Sequence, residues 1–260
     1  MARPPSVPPP IAPDAPHSGS FELIAEVYDL LMRGVPYQTW VSYYLLLLAT
    51  VGFKPKRLLD VACGTGTMAL MLTEEGFEMA GFDLSPAMIE VARRKAYKKH
   101  KAIRYWVADA CEVDLGETFD AAYSFFDSLN NILRPADLEL ALARVFRHLR
   151  PGGCWIFDLN TAYAFEKQMF DQRNLNPQAK LRYDWVGTWD AVAREITVDM
   201  KFWKGDQAFR ETHRQRAYEP DEVIAMLERV GFADIRAFHS YTLTPPRATS
   251  DRIHYVCTRP

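Results

Sequence analysis

Cysteine is scarce in this chain, and long apolar runs are missing altogether. Its four cysteines, Cys63, Cys111, Cys154 and Cys257, are scattered with no CxxC spacing. That argues against a disulfide framework or a zinc site, and for buried thiols in a reducing, cytoplasmic setting. No metal is expected. No segment approaches the ~20 apolar residues that span a bilayer, and the longest run, residues 43–51, reads as a core helix. No basic region followed by an apolar one opens the chain, so no secretory signal is expected. Net charge is only −2, so nothing global draws the protein to nucleic acid or to an anionic membrane.

What is present suits a globular enzyme-sized domain. The 260 residues, 48% hydrophobic and 25% charged, are enough for one large core or for one domain with an insertion. Residues 1–20 are rich in proline and carry no periodic apolar pattern, so they are expected to form a disordered or extended tail. The domain is expected to run over residues 21–260.

Residues 57–83, RLLDVACGTGTMALMLTEEGFEMAGFD, organise the rest. An apolar run ending at Asp60 and a glycine loop reads as a strand buried on both faces. Met68, Leu70, Met71 and Leu72 mark a helix packed on a sheet, and Gly76 ends it. A second strand then delivers Asp83 at its carboxyl end. Gly64 and Gly66 let the backbone turn sharply and approach a ligand. A carboxylate at the tip of the neighbouring strand accepts hydrogen bonds from ribose hydroxyls. Gly64-x-Gly66-x-x-Ala69 also fits the dinucleotide fingerprint. However, Asp60, four residues before the first glycine, opposes a pyrophosphate and suits an ammonium group, which favours S-adenosylmethionine over a nicotinamide cofactor.

LLDVACGTG followed by EEGFEMAGFDLSPAMIEVAR resembles the first two motifs of the class I S-adenosylmethionine-dependent methyltransferases. Within them it is most similar to the small-molecule group that includes glycine N-methyltransferase and uncharacterised bacterial relatives. The resemblance implies an α/β fold, a Rossmann-like seven-stranded sandwich, with S-adenosyl-L-methionine as methyl donor. It implies that the N-terminal helix pair closes over the donor, with Tyr28 at its methionine part and Arg33 at its carboxylate. It also implies that Asp109 accepts from the adenine amino group while the N–H of Ala110 meets a ring nitrogen. The donor set is thus Tyr28, Arg33, Asp60, Gly64, Gly66, Asp83, Asp109 and Ala110.

The acceptor side is less determined. After the fourth strand comes SFFDSLNNI, without the NPPY-type sequence that in the family marks planar amide or base nitrogens, and without Pro-Cys. Asp127 there either steadies an amine, acts as a base, or caps the following helix. After Asp158 the α/β rhythm breaks. Residues 182–187, 193–202 and 207–218 alternate polar and apolar residues and read as an antiparallel meander. An insertion after strand five, about residues 160–218, sits above the carboxyl edge of the sheet and is the expected substrate lid. In FRETHRQRAY, Glu211, His213, Gln215 and Ala217 share one face, and Thr212, Arg214, Arg216 and Tyr218 the other. His213 and Asp127 are the candidate catalytic residues. Tyr37, Asn130, Arg214 and Arg216 are the candidate contacts for a small-molecule acceptor, an amine or hydroxyl. An RNA methyltransferase, which needs a basic face at the donor edge, and a non-catalytic donor-binding module are the alternatives. The basic stretch RRKAYKKHK lies at the far end of its helix and reads as a solvated face.

Overall fold

The computed structural model describes residues 8, 10–13, 15–18, 21–52 and 54–260. In chain order, β1 (His17–Ser18) precedes α1 (Ala25–Leu31), a 3-10 turn at Met32–Gly34, and α2 (Tyr37–Val51). The organising stretch then folds as β2 (Arg57–Val61), α3 (Thr67–Glu74) and β3 (Glu78–Asp83). Next come α4 (Pro86–Lys98), β4 (Arg104–Val107) and β5 (Phe119–Ser124). Ser85 caps α4 by accepting from the N–H of Met88 at 3.3 Å, as a serine before a proline-led helix should. A 3-10 turn at Ser128–Asn131, α5 (Pro135–His148) and β6 (Leu149–Asn160) complete the α/β run.

The rhythm changes after β6, as the alternation requires. A short α6 (Ala162–Glu166) and β7 (Gln172–Asn174) lead into β8 (Arg182–Asp190), β9 (Glu195–Lys204) and β10 (Gln207–Arg216). The chain then returns through α7 (Pro220–Val230), β11 (Ala233–His239) and β12 (Arg252–Thr258).

Seven strands form one sheet in the order β11-β12-β6-β5-β2-β3-β4. Six of them point the same way, and β12 runs against them, antiparallel to both β6 and β11. The direction of progression reverses at β2, which pairs with β3 on one side and β5 on the other. The crevice at that switch point is where open α/β sheets bind ligands. One face of the sheet is covered by α5 and α7 through Leu138, Leu142, Val145, Val223 and Leu227. The other is covered by α2, α3 and α4 through Tyr44, Leu47, Leu72, Ile89 and Ala92. A second sheet, β1-β10-β9-β8-β7, is the expected meander with two short edge strands added. It packs on α1 and α4 through Val198, Met200 and Phe202 against Ile24, Val27, Met88 and Val91. Among the described residues no helix is long and apolar enough to cross a membrane.

Part of the N-terminal stretch, expected to be disordered or extended, lies against the second sheet. Residues 1–7, 9, 14, 19 and 20 lie outside the described residues. Of the rest, Ile11 is buried and its carbonyl accepts from Arg210 Nη2 at 3.0 Å. β1 pairs in parallel with β10, His17 opposite Arg210 and Ser18 opposite Glu211. An edge strand is held by main-chain hydrogen bonds, so no apolar periodicity announced it.

The first three cations of the basic stretch are paired within the molecule, and Lys98, Lys99 and His100 are exposed. Arg93 donates to the Tyr105 carbonyl at 2.6 Å, and Arg94 donates to both oxygens of Glu26. Lys95 bridges Asp29 at 2.7 Å.

Candidate active site

A single cavity of about 830 Å³ opens over the carboxyl ends of the central strands and runs up to the second sheet. At its lower end lie Asp60, Gly64, Asp83, Asp109 and Ala110, with Tyr28 and Tyr37 from the N-terminal helices above them. Asp83 is oriented by the chain around it: Gly64 N–H donates to Oδ2 at 2.8 Å and Ser85 N–H to Oδ1 at 2.9 Å. Burial raises its pKa above the usual carboxylate value, against the pull of these hydrogen bonds. Gly64 has φ +53°, and a Cβ there would meet nothing within 4 Å. Its backbone therefore borders open cavity, as a ligand-cradling glycine must. Asp109 Oδ1 accepts from the N–H of Cys111 at 2.8 Å, which holds the loop that presents Ala110.

Asp60 is buried and accepts from the Tyr123 hydroxyl at 2.7 Å. Burial pushes its pKa up to about 8. The unfolded chain sheds this proton near 3.8, the folded protein only near 8. The stabilisation is therefore complete at low pH and is lost as pH rises through about 8. Thermal melting of the donor-free protein should accordingly drop by several degrees between about pH 5 and pH 9. Asp60→Asn should flatten that slope, and parallel slopes in the two proteins would refute the assignment.

Two residues of the expected donor set lie elsewhere. Arg33 is exposed and outside the cavity lining. The 3-10 turn at Met32–Gly34 advances fewer residues per turn than α-helix, so Met32 turns inward and Arg33 outward. Gly66 is also absent from the lining. Its φ is +70°, and a Cβ would strike the Tyr105 hydroxyl, so this glycine serves close packing beneath the loop. Sequence reading missed a network that ties the N-terminal helices to the glycine loop. Thr65 Oγ1 donates to Asp29 at 2.6 Å, and Lys95 Nζ reaches both Asp29 and Thr67 at 2.7 Å.

The upper end is aromatic with a buried ionic cluster. Trp40 lies 4.6 Å from Phe126 and 5.0 Å from Tyr37, centroid to centroid. Asp127 adopts φ +52° and does not cap the following turn. Its Oδ1 accepts from Arg252 Nη2 at 2.8 Å and its Oδ2 from Gln215 Nε2 at 2.7 Å. Arg252 Nη1 meets Asp158 at 2.6 Å. Burial raises the pKa of Asp127, and the Arg252 guanidinium opposes that rise. Arg252 lines the cavity and was not anticipated, because a lone arginine opening the last strand carries no motif.

His213 and Gln215 come from the buried face of β10 and line the cavity. His213 Nε2 lies 2.7 Å from Glu211 Oε2. Arg214 is exposed at the cavity rim and pairs with Glu195. Two expected acceptor contacts are misplaced. Asn130 is fully buried outside the lining. Its amide donates to the Asn160 and Arg216 carbonyls and accepts from Asn160 N–H, so it brackets the chain where β6 and β10 meet. Arg216 also lies outside the lining and donates to the Ala193 carbonyl.

Residues 58–153 match the family model described as a methyltransferase domain. A protein of Geobacillus sp. (strain WCH70) is 30% identical over 249 residues, 92% of this chain and 100% of that one. The protein YqeM of Bacillus subtilis (strain 168) is 32% identical over 240 residues, 90% and 95%. Both are named methyltransferases by inference, with no acceptor in the name. This chain belongs to the class I S-adenosylmethionine-dependent methyltransferases. Its fold matches the crystal structure of such a methyltransferase from Clostridium acetobutylicum ATCC 824. The TM-score is 0.79 and the identity 24%, over 92% of this chain and 98% of that one. Shorter matches join this methyltransferase to glycine N-methyltransferase of Rattus norvegicus (30% over 161 residues, 56% of this chain and 53% of that protein). They also join it to demethylmenaquinone methyltransferase of Thermus thermophilus (39% over 137 residues, 51% and 60%). S-adenosylmethionine is the methyl donor, and the lower end of the cavity fits it. The carboxylate of Asp83 stands at the strand tip, open space lies beside Gly64, and the buried acid Asp60 lines the same end.

Proposed function

We propose that this methyltransferase moves the donor's methyl group to an amine nitrogen of a small molecule. One observation carries the reading: the same cavity that the donor loops line ends beneath the second sheet, among Trp40, Phe126, Asp127 and His213. A space of about 830 Å³ accommodates a nucleoside donor with a metabolite-sized acceptor and excludes a folded RNA. Aromatic faces favour a cationic amine. A hydroxyl acceptor is the second reading, since the same base would serve it.

Bound, S-adenosylmethionine supplies an electrophilic methyl group on a sulfonium centre. Asp83 would hold the ribose hydroxyls, Asp109 and the N–H of Ala110 would take the adenine edge, and Asp60 and Tyr28 would face the methionine end. Tyr37, Trp40 and Phe126 wall the acceptor and attract its charge. Asp127 carries no free oxygen, so it orients Gln215 and Arg252 and leaves the proton to His213. Alignment and exclusion of water do most of the work.

Incubation with methyl-labelled donor and a panel of small amines, small alcohols and RNA tests the proposal. Label should appear in a small amine. Label confined to RNA, or to no small molecule in the panel, would overturn it.

A further inference from the structure

Glu211 is a carboxylate with no accessible surface, opposite Met200 on β9 and bonded to Ile24, both members of an apolar cluster. Burying such a group costs several kcal/mol unless its oxygens are hydrogen-bonded. Both are. Oε1 accepts from the N–H of Ile24 at 2.8 Å, and Oε2 meets His213 Nε2 at 2.7 Å. Residues 211 and 213 share one face of β10, and the Phe21 ring packs on the imidazole with centroids 3.8 Å apart.

We propose that Glu211 is the positioning residue of a Glu–His dyad, fixing the tautomer in which His213 presents a bare Nδ1 to the acceptor. An ionised carboxylate has no proton to give, so the proton shared between Oε2 and His213 belongs to Nε2. In the neutral ring Nδ1 then carries the lone pair. Among the described residues Nδ1 takes no hydrogen-bond partner, and the ring lines the cavity. The inference rests on the reading of His213 as the group that accepts the acceptor's proton, and it goes beyond that reading in saying what makes His213 able to do so.

Ile24 stands immediately before α1, in the segment that closes over the donor end, and its N–H holds the second oxygen of Glu211. Phe21 covers the ring from the same segment. One segment therefore both holds the carboxylate and covers the imidazole.

Long-range proton–nitrogen spectra of histidine-labelled protein, with S-adenosylhomocysteine bound, read the tautomer directly. The His213 signals are those lost in His213→Ala. The wild type should show the Nε2–H form. Glu211→Gln cannot accept from Ile24 and from His213 together, because one side of its amide is a donor. It should shift His213 toward the Nδ1–H form and lower kcat by roughly 100-fold or more, with donor KM within about twofold. Glu211→Asp, which restores the acceptor at shorter reach, should recover part of the loss. An Nδ1–H tautomer in the wild type would overturn the proposal, and that measurement stands even if Glu211→Gln fails to fold. An unchanged tautomer and turnover in Glu211→Gln, with turnover lost in His213→Ala, would remove the dyad and leave His213 as base. Full turnover in His213→Ala would remove both.

Discussion

Replacing His213 by alanine lowers turnover by roughly 10²–10⁴-fold and leaves donor affinity within about twofold. The two effects separate because the two ends of the cavity come from different parts of the chain. The donor end is built by the loops after β2, β3 and β4, whereas His213 lines the cavity from β10. Loss of a proton acceptor slows the chemical step, and no donor contact changes. Donor affinity by calorimetry and turnover with the amine found in the panel should be measured on one preparation. Unchanged turnover would return His213 to the role of a polar residue held by Glu211. A joint fall in donor affinity and melting temperature would show that the imidazole holds the second sheet on α1 and does no chemistry.

Arg252→Met should be the most destabilising single change at the site, by about 3–5 kcal/mol. The arginine side chain is 12% exposed, and its partners Asp127 and Asp158 are buried at 10% and 1%. Methionine fills similar volume but leaves two carboxylates facing each other without a cation. At roughly 2–4 °C per kcal/mol for a protein of this size, the melting temperature should fall by about 6–20 °C. The loss should shrink as pH is lowered, because the pKa of Asp127, already raised by burial, climbs further without the guanidinium and the group then holds its proton. A fall of less than about 2 °C at pH 8 would mean that the cluster is well hydrated and adds little.

The parts legible in sequence were those in which local pattern and tertiary role coincide. The glycine loop, Asp83 and the strand alternation of residues 182–216 each record a backbone requirement, a turn or a half-buried face, that a run of letters can carry. Burial of Glu211, His213 and Gln215 on one side of β10 follows from the same alternation. Arg33, placed at the donor by resemblance alone, faces solvent because the 3-10 turn at Met32–Gly34 turns Met32 inward in its stead. Asn130 and Arg216 were misplaced because their polar groups serve neighbouring backbone, which composition cannot distinguish from ligand contacts. Arg252 and Asp158 were invisible for a different reason. Asp158 meets Asp127 through the Asp127 N–H, and Arg252 joins both only through the antiparallel pairing of β12 with β6, across more than ninety residues of chain.

The account stands most directly on the donor lying over the glycine loop with its ribose on Asp83. Calorimetric titration of the wild type and of Asp83→Ala with S-adenosylhomocysteine tests this without any acceptor. Charge-assisted hydrogen bonds are worth roughly 1.5–3 kcal/mol each, so the variant should bind at least about tenfold more weakly, with its melting curve still cooperative. Equal affinity in the two proteins would contradict the account.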